Sequence, residues 1–134
     1  VKELTFMSTE VDRLSGLNEV TDIDLRDSRF KIQQLLDAGV VLLVGTDSGI
    51  PMKFHSQSTW NELDVWVNEF GIDPMYAIRA ATYWPALWTG VADEVGTITP
   101  GKYADIIAVD GDVLRYISLL QDVDMVIKHG KQYK

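Results

Sequence analysis

With 134 residues the chain holds about one domain's worth of sequence. Twenty acidic against twelve basic residues give a formal net charge of −8, which disfavours nucleic acid and anionic membrane surfaces as partners. The lack of cysteine excludes disulfides and thiolate metal sites, and no stretch approaches the ~20 apolar residues that span a bilayer.

The N-terminal Val1-Lys2-Glu3-Leu4-Thr5 lacks the basic-then-apolar order of a signal peptide, so a cytoplasmic location is expected. A chain beginning with Val has either lost an initiator Met or is a piece of something longer. Leu4, Phe6, Val11, Leu14 and Leu17 are spaced loosely like a helix, interrupted by Gly16. Thr21-Asp22 offers a helix start, and Phe30, Ile32, Leu35 and Leu36 predict an amphipathic helix over about 24–38, ended by Gly39 as a left-handed cap. The apolar run Val40-Val41-Leu42-Leu43-Val44 follows and breaks off in Gly45-Thr46-Asp47-Ser48. The run is too short for a helix and lacks polar alternation. It predicts a strand over 40–45 covered on both faces, as in a parallel sheet under helices.

Residues 46–58 read as a loop containing Gly49, Pro51 and His55. Trp60, Leu63, Trp66, Val67 and Phe70 recur at helical spacing, and Gly71 ends that stripe. Asp73-Pro74 is a helix start, with Asp as N-cap and Pro in the first turn. Ala77, Ile78, Ala81 and Thr82 are its expected inner face, and Pro85 opens a further short helix closed by Gly90. Beyond residue 93 the period changes. Strands are predicted at 95–98, 105–109 and 122–128, with a Pro100-Gly101 turn and a tight hairpin at His129-Gly130 leading to Gln132-Tyr133. The shift near residue 92 divides the chain into 1–92 and 93–134, and the element order gives an α/β fold class.

Asp47 is the foremost candidate for chemistry, because a carboxylate where a buried strand ends sits at the mouth of the sheet. It can ligate a divalent metal and accept a proton from metal-bound water, or it can serve as a helix cap or pair with a base. His55, eight residues on, can bind a substrate carboxylate or polarise a carbonyl, or simply face solvent. A catalytic zinc site takes about three protein ligands, and this chain has two histidines, one of them in the 129–130 turn. The sequence therefore offers one plausible metal ligand, and a tightly held stoichiometric metal is not expected of this chain alone. Trp60 and Trp66 read as core, and Trp84 and Trp88 as packing between helix and strands. No phosphate-binding glycine loop is present.

Segments in one order resemble the C-terminal part of the metal-dependent amidohydrolase superfamily. They are Ala38-Gly39-Val40 through Gly45-Thr46-Asp47-Ser48; Gly71-Ile72-Asp73-Pro74 through Ala77-Ile78-Arg79-Ala80-Ala81-Thr82; Gly96-Thr97-Ile98-Thr99-Pro100-Gly101-Lys102-Tyr103-Ala104-Asp105; and Val126-Ile127-Lys128-His129-Gly130-Lys131. The third is the most specific, and the likeness covers about residues 30–134. Gly-Thr-Asp with a nearby His resembles the imidazolonepropionase and Xaa-Pro dipeptidase branch most.

The resemblance implies the C-terminal fragment of a (β/α)8 TIM-like barrel, followed by strands of a small β-sandwich domain. Strand 40–45 would be the eighth barrel strand. Asp47 would match the last metal-site residue, binding metal and carrying a proton from water to the leaving nitrogen. His55 and Ser48 would lie on the substrate side. The implied cofactor is a divalent metal, zinc, in the complete enzyme. The implied reaction is hydrolysis of a C–N bond in a small amide, dipeptide-like or cyclic amide substrate. The His-x-His of the first strand, the bridging lysine or glutamate and the later histidines are missing and would lie upstream of Val1, and Trp84 stands where Asn usually precedes Pro-Ala. A full barrel takes about 250 residues, so this chain cannot close one and is expected to be inactive alone, self-associating or pairing with the missing N-terminal part. The competing class is a non-catalytic truncated or stand-alone interaction module.

Overall fold

The computed structural model describes residues 17–49 and 55–134. The chain falls into two units, residues 1–40 and 41–134. The loose helical spacing before Leu17 and the middle of the predicted 46–58 loop lie outside the described residues.

In the first unit, helix α1 spans Leu17–Asp37. It starts earlier than the predicted 24, so Thr21-Asp22 lies inside the helix. Its end follows the sequence signal. Gly39 adopts φ 76°, its N–H donates to Leu36 O at 2.9 Å, and the N–H of Val40 donates to Leu35 O at 2.9 Å. These two bonds form the Schellman pattern that satisfies the last carbonyls of a helix. Of the predicted stripe, Ile32 and Leu36 are partly buried, while Phe30 is 64% and Leu35 42% exposed.

The second unit opens with the apolar run. Residues 41–47 are in no ladder, contrary to the predicted strand. A strand exists only where a neighbour takes its N–H and C=O groups. Here the N–H groups go elsewhere: Leu42 donates to the Tyr76 hydroxyl at 3.0 Å, Val44 to Ala80 O at 3.1 Å and Gly45 to Glu62 Oε1 at 3.1 Å. Both-sided burial fails as well, since Val41 is exposed.

Helix α2 spans His55–Asp64 and runs into a π-helical turn at Val65–Glu69, closed by Phe70 N–H donating to Val65 O at 3.1 Å. His55 is thus the first residue of a helix and not a loop residue. Leu63 and Trp66 are buried, and Trp60 is partly buried, as the stripe required. Gly71 turns the chain at φ 72°.

Helix α3 spans Pro74–Ala81, and Asp73 Oδ1 accepts the N–H of Tyr76 at 2.9 Å, the cap written in the sequence. Its inner face is Ala77 and Ala80, both fully buried, while Thr82 is exposed. The expected face was rotated by about one residue. At Thr82, where the helix breaks, the hydroxyl donates to Ile78 O at 2.7 Å. Helix α4, Tyr83–Trp88, begins two residues before the expected Pro85, and Gly90 closes it at φ 78°. Trp84 packs edge-on against Tyr76 with ring centroids 4.5 Å apart. Trp88 is 82% exposed, contrary to its expected packing.

Residues 95–98 form no strand. The chain there winds around the Lys102 ammonium, which donates to Ala92 O, to Val95 O and to Thr97 Oγ1. Of these, the bond to Val95 O takes a carbonyl that a ladder would need. The Pro100-Gly101 turn stands, with Gly101 at φ 95°. An antiparallel sheet of order β1-β2-β3 follows, built from Ile106–Ala108, Met125–Lys128 and Lys131–Gln132. Ile106 faces Ile127, and Lys128 faces Lys131 across the hairpin. His129 at φ 50° and Gly130 at φ 76° give the two left-handed central residues that a tight hairpin needs. Between β1 and β2 lies a 3-10 helix, Ile117–Gln121, not anticipated from the sequence. It packs on α2 and contributes Ile117 to the core.

Candidate functional site

Asp47 lies where the extended run ends, and its side chain is exposed. Its φ is 48°, in the left-handed region. Among side-chain-bearing residues Asp and Asn enter that region most readily, through local hydrogen bonding of a short polar side chain. Even so, such a conformation persists only where the surroundings impose it.

Those surroundings can be named. Just beneath Asp47 the hydroxyls of Thr46 and Ser48 meet at 2.7 Å. The Ser48 hydroxyl is therefore already engaged in one of its three hydrogen-bonding positions. On one side of Asp47 the Gly45 N–H donates to Glu62 Oε1. On the other, the His55 imidazole lies so close to Gly49 that a Cβ there would sit 3.4 Å from both Cε1 and Nε2. Gly49 itself holds φ 104°.

The sequence candidates Asp47, Ser48 and His55 thus fall in one neighbourhood, with helix α2 lying along the turn that carries Asp47. The sequence reading missed Glu62. It stands seven residues after His55, a spacing that puts both on one helix face. Its partner is the backbone N–H of Gly45, which leaves no mark in sequence. His129 is elsewhere, in its hairpin turn, stacked on Tyr103 with centroids 4.8 Å apart and planes 13° apart.

As a metal-binding residue Asp47 fits one coordination position, an exposed hard oxygen donor at the end of an extended segment. Among the described residues no group of three or more His, Asp or Glu side chains converges on a point that would hold an ion. No helix among them is long and apolar enough to cross a membrane.

Comparison with known proteins shows what the chain as a whole is similar to. Over residues 4–133 the chain matches the sequence model of the amidohydrolase family. It is 38% identical over 61 residues to an adenine deaminase of Rubrobacter xylanophilus, an alignment covering 45% of this chain and 10% of that protein. An imidazolonepropionase of the same organism is 34% identical over 84 residues, covering 63% of this chain and 20% of the relative. The crystal structure of a Xaa-Pro dipeptidase with bound methionine in the active site superposes with a TM-score of 0.69 at 36% identity, over 79% of this chain and 25% of the dipeptidase. The chain thus spans between a tenth and a quarter of the length of these proteins. The match runs through the Gly-Thr-Asp turn, the capped helix after it and the closing hairpin, and the chain belongs to the amidohydrolase family.

Proposed function

We propose that this chain is the Asp47-bearing C-terminal part of a metal-dependent amidohydrolase that hydrolyses a C–N bond in an amide, dipeptide or cyclic amide. The observation that carries the reading is the left-handed, exposed Asp47 at the end of the apolar run, in a chain of this family. Residues 40–45 would act as the eighth strand of a (β/α)8 barrel and residues 93–134 as strands of a small β-sandwich domain. The missing strands would come from the N-terminal part or from a second copy.

In this reading Asp47 is the ligand that this chain gives to a divalent ion, zinc. When bound, that ion supplies Lewis acidity and lowers the pKa of water. Asp47 itself has two tasks. Its carboxylate would hold the ion, and would also take a proton from water and pass it to the leaving nitrogen. His55 and the free capacity of Ser48 would orient a small, dipeptide-like substrate beside it. The compartment proposed is the cytoplasm.

Asp47→Asn tests the reading. It keeps the shape and the tolerance for a left-handed φ but removes the basic oxygen. Loss of C–N hydrolysis with retained folding supports it, and near-normal turnover refutes it. Elemental analysis after dialysis separates the proposal from a non-catalytic module. Metal that appears only when the rest of the barrel is supplied, and is weakened by Asp47→Asn, marks the enzyme.

A further inference from the structure

We infer that Glu62 is a positioning residue for Asp47, acting through the backbone of Gly45. This rests on the reading of Asp47 as the reacting carboxylate. The Gly45 N–H donates to Glu62 Oε1 at 3.1 Å, and the His55 ring abuts Gly49 at the other end of the same turn. His55 and Glu62 sit seven residues apart in α2, on one face and about 10 Å apart along its axis. Gly45 to Gly49 is four residue steps, which reach roughly 14 Å at most when extended and less with a left-handed residue between them. The helix span falls within that reach, so one helix contacts both ends of the turn, and Asp47 lies midway between them.

The chemistry of the two grips differs. His55 makes a packing contact with a residue that has no side chain. Glu62 accepts a hydrogen bond from a backbone donor, and a charged acceptor makes such a bond stronger than a neutral one. The bond fixes the peptide plane two residues before Asp47. The left-handed φ of Asp47 is a state that needs this kind of outside constraint. Glu62 touches no reacting group in this arrangement and works only by setting where the Asp47 carboxylate points.

The test is amide hydrogen exchange by NMR on the 134-residue chain and on Glu62→Ala, Glu62→Asp and Glu62→Gln. Ala removes the acceptor, Asp withdraws it by one methylene while keeping the charge, and Gln keeps an acceptor oxygen at full reach. Exchange of the Gly45 amide should speed up about tenfold in the Ala and Asp variants, the factor expected for one lost hydrogen bond, and stay slow in the Gln variant. The Asp47 Cα chemical shift, which reports its φ, should move in the first two and return in the third. Unchanged Gly45 exchange in Glu62→Asp overturns the proposal, and so does an Asp47 shift that ignores all three changes. Failure of the Asp47 reading is seen separately, as normal turnover in Asp47→Asn, which leaves the exchange pattern untouched.

Discussion

The Tyr76 hydroxyl accepts the backbone N–H of Leu42 at 3.0 Å, across 34 positions of sequence. Tyr76 belongs to the helix that Asp73 caps, and Leu42 to the apolar run leading to Asp47. The strongest local helix signal in the chain therefore anchors its most informative segment. Tyr76→Phe keeps the ring and its edge-on packing against Trp84 but removes the acceptor. It should cost about 1 kcal/mol, the usual range for a partly buried hydrogen bond whose backbone donor is left unmet. Urea unfolding measures it as a shift in midpoint at unchanged slope. An unchanged midpoint would mean that the bond adds nothing in solution.

Asp47→Asn separates chemistry from folding. Asn enters the left-handed region about as readily as Asp, so the φ of 48° is kept and stability should hold within about 0.5 kcal/mol. On the proposed function, turnover of the complete enzyme should fall by roughly 10²–10⁴-fold, the range for a lost acid–base group. Asp47→Ala is the contrasting variant. It loses the same chemistry and should also destabilise by about 1 kcal/mol, because Ala pays the left-handed penalty in full. Parallel rate and denaturation measurements distinguish the two.

A Cβ added at Gly96 would lie 2.7 Å from Ala86 Cβ and 3.1 Å from Thr82 O, and Gly96 holds φ 92°. Neither neighbour is a flexible side-chain tip that can move aside. Gly96→Ala should destabilise by about 2–4 kcal/mol, combining backbone strain with overpacking. The thermal midpoint reads it directly. A near-neutral result would show that the 92–97 turn moves freely against α4.

What the sequence made legible follows one division. Features written within a few residues were read correctly: Gly39 as the end of α1, Asp73 as the cap of α3, Pro100-Gly101 and His129-Gly130 as turns. Each has a local cause, a positive φ or a side chain reaching its own backbone. Features decided by distant partners were misread. Residues 95–98 have the composition of a strand, but Lys102 takes Val95 O and the Thr97 hydroxyl. Residues 40–45 have the pattern of a buried strand, but no described neighbour completes a ladder. Asp47, Ser48 and His55 were singled out as a candidate site from sequence, and the structure sets them in one neighbourhood. Glu62 was not singled out, because its partner is a backbone N–H that leaves no mark in sequence.

The closing hairpin carries a pH-dependent element. Asp105 accepts hydrogen bonds from the Lys128 ammonium and from the His129 N–H, and these hold its carboxyl below the ordinary value of 3.8. The folded-state pKa is depressed, so the ionised form favours the folded state. Its contribution is fully present above the unfolded-state value and fades as pH falls below about 4 through the folded-state value. Asp105→Asn keeps an acceptor for the His129 N–H but cannot ionise. The stability gap between wild type and Asp105→Asn should be constant near neutrality and should close as the pH falls through the folded-state value. Urea midpoints taken from pH 7 to pH 2 test this. A gap that does not narrow on acidification assigns the acid sensitivity to other carboxylates.

The last prediction concerns association. The apolar run was expected to be covered on both faces, yet Val40 is 44% and Val41 55% exposed. Ile98, Trp88 and Phe30 are more exposed still. In the described sheet β1 and β3 are both edges, and Ile107 on β1 is exposed. Open edges and apolar surface are the features that drive one chain to pair with another. The net charge of −8 opposes this at low ionic strength and is screened as salt rises. The isolated chain should therefore self-associate in a concentration-dependent way, more strongly at high salt than at low. Sedimentation velocity over a hundredfold range of concentration, at two salt levels, decides the matter. A monodisperse monomer throughout would show that the apolar run and the sheet edges are shielded within one chain.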